Sequence, residues 1–388
     1  MKTQTKKHIL MLNYEFPPLG GGAGNATYYI LKEFSKPKYK DLEIDLITSS
    51  TDKFNIQRFS KNITIHFLDI NKKGNLHYQS NKDLLNYSWK AYNYSKHLIN
   101  KRKKENTQYN LCHAFFGIPC GYIALKLKNK YNLPYIVSLR GSDVPGHNPK
   151  FALLDKLIFK RLSKKIWKEA YKVIANSNDL IYEAKKTKED CNFAVIPNGI
   201  DTKFYKKINI KRNKYKNNLI LLYVGRLSKV KGLDYLLKAI SNLDSLELWL
   251  VGDGDQKNHL EELSNKLKIR QKVKFLGIKD KKELLQIYNT SDIFILPSLN
   301  EGMSNSILEA MACGLPIITT DTGGSKELIK GNGFIISKAS PEALRQAINK
   351  FLINPNLIKS MSNISRLLAE RMSWGNVADD YWGEYEKC

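Results

Sequence analysis

Short apolar runs recur along this chain, each followed by a segment of helical periodicity, and they fall into two series. The first contains "HILMLNY" (8–14), "EIDLITSS" (43–50), "LCHAFFG" (111–117), "PYIVSLRG" (134–141), "KVIANS" (172–177) and "FAVIPNG" (193–199), with helical spacing in 83–100 and 153–171. The second contains "LILLYVGRL" (219–227), "LELWLVGDG" (246–254), "VKFLG" (273–277), "IFILPS" (293–298) and "PIITTD" (316–321). A continuous apolar run suits a strand buried on both faces, and alternation with helices predicts parallel sheets covered on both sides. The polar stretch 198–218, "NGIDTKFYKKINIKRNKYKNN", separates the series and reads as a linker. The expected fold is α/β: two doubly wound, Rossmann-like parallel-sheet domains, 1–198 and 199–371, facing across a cleft at the carboxyl ends of their strands. A chain of 388 residues suits two such domains.

Bulk properties narrow the class. No apolar run approaches the roughly 18 residues a membrane-spanning helix needs. The N-terminal "MKTQTKKHILMLNYEFPP" reads as a buried strand, because no small-residue cleavage site follows its short apolar run. Five scattered cysteines without a CxxC point to reduced cytosolic thiols, with neither a disulfide framework nor a zinc site. Localisation is therefore expected to be cytoplasmic. The formal net charge is +26, and residues 1–200 carry +18 of it, from 34 Lys+Arg against 16 Asp+Glu. Such a balance fits either a lysine-rich compositional habit or attraction to a polyanion. No helix-turn-helix, RNP-like or zinc pattern supports nucleic acid as that polyanion.

The chemistry is expected in loops after strands. In "FPPLGGGAGNATYYIL" the glycines around Gly22 permit a tight strand-to-helix turn or a close approach of an anion to helix amides. The spacing is not G-x-G-x-x-G, which argues against a nicotinamide dinucleotide. In "VGRLSKVKGLDYLLKAI" Gly225 and Arg226 precede Lys229 and Lys231, a cationic cluster suited to a pyrophosphate. Asp253-x-Asp255 lacks a third ligand nearby, so it makes at most a thin magnesium site and reads rather as an ordinary strand-to-helix turn with acids at the helix start. In "PSLNEGMSNSILEAMACGLPII" a strand ends at Pro297. Glu301 lies in the following loop, Ser304 or Asn305 caps a helix running to about Cys313, and Glu309 sits within that helix. The helix-entry amides suit phosphate oxygens, Glu309 suits a ribose diol and Glu301 a sugar hydroxyl.

Together "GRLSKVKGLDYLL", "VGDGD", "FLG", "DIFILPSLNEGMSNSILEAMACGLPIITTDTGGSKELI" and "GNGFII" resemble the family-4 retaining glycosyltransferases of the GT-B fold. Glu301 and Glu309 match that family's E-x7-E signature. The resemblance extends to "FPPLGGGAGNATYYIL", "RGSDVPG" and "VIPNGID" in the first half. It implies transfer of a sugar from a nucleoside diphosphate sugar to an acceptor hydroxyl with the anomeric configuration kept, without a cofactor or metal. By position, Arg226 and Lys231 match the cations on the donor diphosphate, Glu309 the acid on the ribose and Glu301 the acid near the donor sugar. The Gly302, Met303, Ser304, Asn305 backbone matches the phosphate-facing turn, and Gly22 the N-terminal glycine loop. Gly225 flanks the diphosphate site, and Gly277 and Ile278 fall where the family packs the base. Where many members carry a histidine after the strand here reading "IVSL", this chain has Arg140, which leaves Arg140 or Asp143 as the first-domain polar candidate. His113 follows a strand but is more often a structural type of residue. The family precedent also places 372–388 across the first domain. The acceptor is expected to be a glycan or lipid-linked hydroxyl, with a sugar-nucleotide 2-epimerase as the alternative reading of the same fold.

An anionic membrane surface is a further expected partner. The stretch "LDKLIFKRLSKKIWKEAY" (154–171) has six Lys/Arg against two acids, with Leu154, Leu157, Ile158, Leu162 and Ile166 at helical spacing. Such a helix either lies in an interface or packs its stripe on the sheet.

Overall fold

A computed structural model of the chain describes residues 6–72, 79–141, 143–145, 159–210 and 218–388. They form two compact units, Met1–Asn198 with Trp374–Cys388, and Gly199–Ser373.

In the first unit the strands are β1 (Lys7–Leu12), β2 (Leu42–Ser50), β3 (Asn55–Ser60), β4 (Ile63–Asp69), β5 (Leu111–Phe115), β6 (Tyr135–Ser138), β7 (Lys172–Ala175) and β8 (Phe193–Val195). They make one sheet in the order β3-β4-β2-β1-β5-β6-β7-β8. The helices are α1 (Gly22–Phe34), α2 (Asn81–Lys104), α3 (Tyr122–Tyr131), α4 (Lys160–Glu169) and α5 (Asn178–Lys185). The order reverses at β1, so the ends of β1 and β5 form the switch point where doubly wound sheets bind ligands. Apolar runs such as "ILML" in β1 are fully buried, as strands covered on both faces require.

The sheet departs from the expected pattern at one edge. The sequence reading places no strand between 51 and 82, yet β3 and β4 lie there, and β3 runs antiparallel to β4. β3 is an exposed edge strand, so no apolar run was needed to build it. In β4, apolar residues alternate with Thr64 and His66, because His66 is satisfied inside. Its Nε2 meets Asp45 Oδ1 at 2.9 Å and its Nδ1 meets Tyr94 Oη at 2.9 Å. Asp45 also accepts from Arg102 at 2.8 Å and Tyr109 at 2.7 Å. Burial pushes the Asp45 carboxyl up, but these donors outweigh it and hold its pKa at about 2.

The amphipathic stretch 154–171 is corrected in part. Leu154, Leu157 and Ile158 lie outside the described residues. In α4, Ile166 and Trp167 are buried in the core and Leu162 packs against it. The described part of the stripe therefore faces the sheet and is not available for insertion into a bilayer.

The second unit has β9 (Leu219–Val224), β10 (Leu246–Val251), β11 (Val273–Gly277), β12 (Ile293–Leu296), β13 (Ile317–Thr320) and β14 (Gly333–Ile336) in the parallel order β11-β10-β9-β12-β13-β14. Its helices are α6 (Leu233–Ile240), α7 (Lys257–Lys266), α8 (Lys281–Thr290), α9 (Asn305–Ala312), α10 (Ser325–Leu328), α11 (Pro341–Ile353) and α12 (Asn356–Arg371). Here the switch point lies between β9 and β12.

The last helix, α13 (Trp374–Glu386), belongs to the first unit. Trp374 stacks on Tyr29 with ring centroids 5.3 Å apart, and Tyr39 Oη donates to Asp379 at 2.6 Å. His113 is wholly buried between Tyr385 Oη (2.6 Å) and Ser138 Oγ (2.7 Å). Burial, with Arg140 nearby, pushes its pKa well below the usual histidine value. His113 is thus a neutral core residue that fastens α13 to the sheet.

Candidate active site

In the second unit the loops leaving β9, β10 and β12 interlock. Leu227 N donates to Asp253 O at 2.9 Å and Gln256 N donates to Leu227 O at 3.0 Å. A Cβ at Gly254 would stand 2.2 Å from Leu227 O, so only glycine permits that approach. Gly232 has φ +65° and a Cβ there would stand 2.3 Å from Pro297 O. Leu299 N donates to Val230 O at 2.8 Å. These constraints hold the Lys229–Lys231 turn against the loop after β12. They bring the Lys231 ammonium to Glu301, where Nζ donates to Oε2. The two side chains are 18% and 20% exposed. Ser298 Oγ donates to the same oxygen at 3.3 Å. Arg226 is exposed, and its guanidinium donates no hydrogen bond among the described residues. Its carbonyl accepts from Tyr223 Oη at 2.7 Å, which fixes the turn beneath it.

After Glu301 the chain passes Gly302 and the buried Met303. Ser304 then caps α9, its Oγ accepting from Ile307 N at 3.4 Å. Asn305 begins the helix and is exposed. The glycine pair after β13 supports this turn: a Cβ at Gly323 would lie 2.8 Å from Glu301 O, and Gly324 has φ +75° beside Met303. Glu309 points from α9 toward α8, where Tyr288 Oη donates to its Oε2 at 2.9 Å. Burial raises its pKa, against hydrogen bonds from Tyr288 and Tyr205. At the end of β11, Gly277 has φ +67° and Ile278 is 79% exposed, an uncovered apolar surface. The unit thus pairs Lys231 with Glu301 directly. Gly225, Arg226, Gly277, Ile278, Gly302, Met303, Ser304, Asn305 and Glu309 all lie on the loops or helix entry at the carboxyl ends of β9, β11 and β12, or in α9 just beyond.

In the first unit the expected polar residues and the glycine loop have partners within the chain. Gly22 opens α1, but the Gly21 amide donates to Glu15 Oε2 at 3.1 Å, and Glu15 is also bonded by the Gly24 amide. The chain's own carboxylate therefore bonds two amides of the glycine loop. Burial raises its pKa. Asp143 accepts from three backbone amides: Oδ1 from Arg140 N (2.8 Å) and Gly141 N (3.0 Å) in its own loop, and Oδ2 from Gly117 N (2.7 Å) in the turn after β5. Arg140 donates to Asn198 Oδ1 (3.1 Å) and Tyr381 Oη (3.3 Å), and lies over the Phe115 ring. The bonds of Asp143 tie the loop after β6 to the turn after β5, and those of Arg140 reach Asn198 and α13. Sequence reasoning missed Glu15, Ser298, Tyr288 and Gly323. The only signal for any of them was the Gly-Gly pair in "DTGGSKEL".

Asp253 Oδ1 turns back on Gly254 N at 2.8 Å, and Asp255 Oδ2 accepts from its neighbour Gln256 at 3.4 Å. Among the described residues no group of three or more His, Cys, Asp or Glu side chains is placed to hold a metal ion.

Two family models match in tandem: "Glycosyltransferase Family 4" over residues 20–204 and "Glycosyl transferases group 1" over 204–367. The chain belongs to the group 1/family-4 glycosyltransferases of the GT-B fold. An uncharacterised glycosyltransferase of Methanocaldococcus jannaschii is 28% identical over 374 residues, 94% of each chain. Among solved structures, sucrose-phosphate synthase from Thermosynechococcus elongatus is similar with a TM-score of 0.79 at 21% identity, over 98% of this glycosyltransferase and 99% of that chain. Anabaena HepE, solved in complex with UDP-glucose, is similar with a TM-score of 0.70 at 20% identity, over 98% and 100% of the two chains. At these identities the structural likeness speaks to the fold.

Proposed function

We propose that this glycosyltransferase moves a sugar from a nucleoside diphosphate sugar to a hydroxyl of a glycan or lipid-linked acceptor, with retention and without a metal. The observation that carries the reading is the Lys231–Glu301 pair, set between the exposed Arg226 and the entry of α9. Arg226, Lys231 and the first amides of α9 offer positive charge to a diphosphate. Glu309, half-buried on α9, accepts from the ribose hydroxyls, and the base lies on Gly277 and Ile278. Glu301 accepts from a donor-sugar hydroxyl while its partner Lys231 turns its remaining N–H groups to the phosphate.

In the reaction the bond from the anomeric carbon to the phosphate oxygen breaks and the bond to the acceptor oxygen forms on the same face. The leaving diphosphate takes the acceptor proton. Stabilising its charge is then the main catalytic task, which lysine, arginine and helix amides can perform without a divalent cation. In this reading the second unit holds the donor and the first receives the acceptor, with Gly22 and Glu15 at its glycine loop.

The comparisons lend nothing to the 2-epimerase alternative. Among the described residues no helix is long and apolar enough to cross a membrane. Any attachment to an anionic bilayer would rest on the +18 of residues 1–200, acting at the surface from the cytoplasmic side. The test is transfer from UDP-, GDP- and ADP-sugars in EDTA, with NMR of the product's anomeric coupling. Full activity and a product of the donor's own anomeric configuration are expected. An inverted product, or loss of activity restored by magnesium, would refute the reading.

A further inference from the structure

The first unit carries a second candidate ligand site, away from its glycine loop. Four large apolar side chains on neighbouring elements are exposed: Phe54 (49%) just before β3, Ile56 (50%) in β3, and Leu85 (71%) and Trp89 (69%) one turn apart on α2. Between β4 and α2 a pocket of about 460 Å³ opens, within the usual range for small-ligand sites, and Phe54, Trp89, Tyr94 and His97 are among its walls. Phe54 meets Tyr94 edge-on at 5.3 Å, and His97 lies against Tyr94 at 5.8 Å and 30°.

The central ring is fixed before any ligand arrives. Tyr94 Oη is held at 2.9 Å by the buried His66, which in turn is held at 2.9 Å by the buried Asp45, and Arg102 and Tyr109 hold Asp45. A pre-set aromatic wall avoids the ordering cost that weakens binding at a mobile surface. Polar groups share the pocket. Asp69 and Lys90 both line it, with Asp69 Oδ1 accepting from Asn71 N at 2.7 Å and the Lys90 ammonium donating to Asp69 O.

Flat apolar rings beside a carboxylate and an ammonium suit a ligand with C–H faces and a hydroxylated edge, which is the chemistry of a pyranose. A carboxylate in the lining disfavours both acyl chains and a polyanion. The pocket sits at the carboxyl end of β4, two strands from β1 and so roughly 10 Å across the sheet from the strand bearing the glycine loop.

We propose that this pocket is a saccharide-binding subsite that holds a sugar of the acceptor chain beyond the one that reacts. Its description as an acceptor subsite rests on the glycosyltransferase reading above, while saccharide binding itself does not. The test applies the full chain to a printed array of microbial and eukaryotic oligosaccharides, beside Trp89→Ala and Phe54→Ala. Both substitutions are at exposed positions. In parallel, thermal shift with UDP, GDP and ADP reads the donor site, and co-sedimentation with phosphatidylglycerol vesicles reads a lipid surface. The proposal expects at least one arrayed glycan to bind, at least tenfold loss of that binding in both variants, and an unchanged nucleotide response. Absence of glycan binding, binding that survives both substitutions, or Trp89-dependent binding to vesicles alone would overturn it. A wild-type chain that binds glycan through Trp89 but no nucleotide would keep the subsite and sink the transferase reading.

Discussion

Lys231 and Glu301, seventy residues apart in sequence, share a hydrogen bond in which the ammonium donates to a carboxylate that Ser298 also supports. The pair joins the loop after β9 to the loop after β12, on either side of the second unit's switch point. Each partner is mostly withdrawn from water, so their interaction is screened less than a surface ion pair.

Removing either partner is therefore expected to lower transfer. Lys231→Ala should lower turnover about 100-fold or more, the scale on which a lost transition-state donor acts. Arg226→Ala should do the same, and Glu301→Gln should mainly lower transfer. In a Lys231→Ala/Glu301→Gln cycle the double variant should lose less than the product of the single losses, since each single change already breaks the pair. Steady-state kinetics of the four proteins decide it. Strictly multiplicative losses would mean that the two residues act separately.

Gly232→Ala is expected to act through the backbone. The residue has φ +65°, and the added Cβ would stand 2.3 Å from Pro297 O. The turn must shift, displacing Lys231 from Glu301, at a cost of about 1–3 kcal/mol in stability. Turnover should fall at least tenfold, while circular dichroism keeps its native form. Unchanged kinetics would show that the site tolerates movement of this turn.

Acid should weaken the first unit through Asp45. Its pKa is held at about 2, below the usual carboxylate value near 4, so the charged form stabilises the fold at neutral pH. This contribution, about 2 kcal/mol, is present above about pH 4 and is lost as pH falls toward about 2. Asp45→Asn should lose most of it at neutral pH and flatten the acid dependence. Urea unfolding at neutral pH and at about pH 3 measures both proteins. An equal acid dependence in the two would assign the acid sensitivity to other groups.

Much of the fold was legible because parallel strands buried on both faces leave unbroken apolar runs, as "ILML" in β1 and "IFIL" in β12 show. The loops that carry Arg226, Lys231 and Glu301 were legible as well, since glycines and charged residues follow those runs directly. β3 and β4 were not, because an edge strand needs no apolar face and β4 hides its histidine in a buried network with Asp45. Asp143 could not be distinguished from a substrate-facing acid, because its carboxylate is taken up by three backbone amides, two in its own loop and one, Gly117, in the turn after β5. Glu15 was equally opaque: nothing in "YEFPPLGGG" says that the carboxylate folds back onto Gly21 and Gly24.

The measurement that bears most directly on the account is calorimetric titration of UDP, GDP and ADP into the wild type, Glu309→Ala and Glu301→Ala. One nucleotide should bind the wild type. Glu309→Ala should weaken that binding at least tenfold, by loss of the ribose contact, while Glu301→Ala leaves it within about threefold, since Glu301 serves the sugar. No binding of any of the three, or equal loss in both variants, would contradict the assignment of the α9 entry and Glu309 as the nucleotide site.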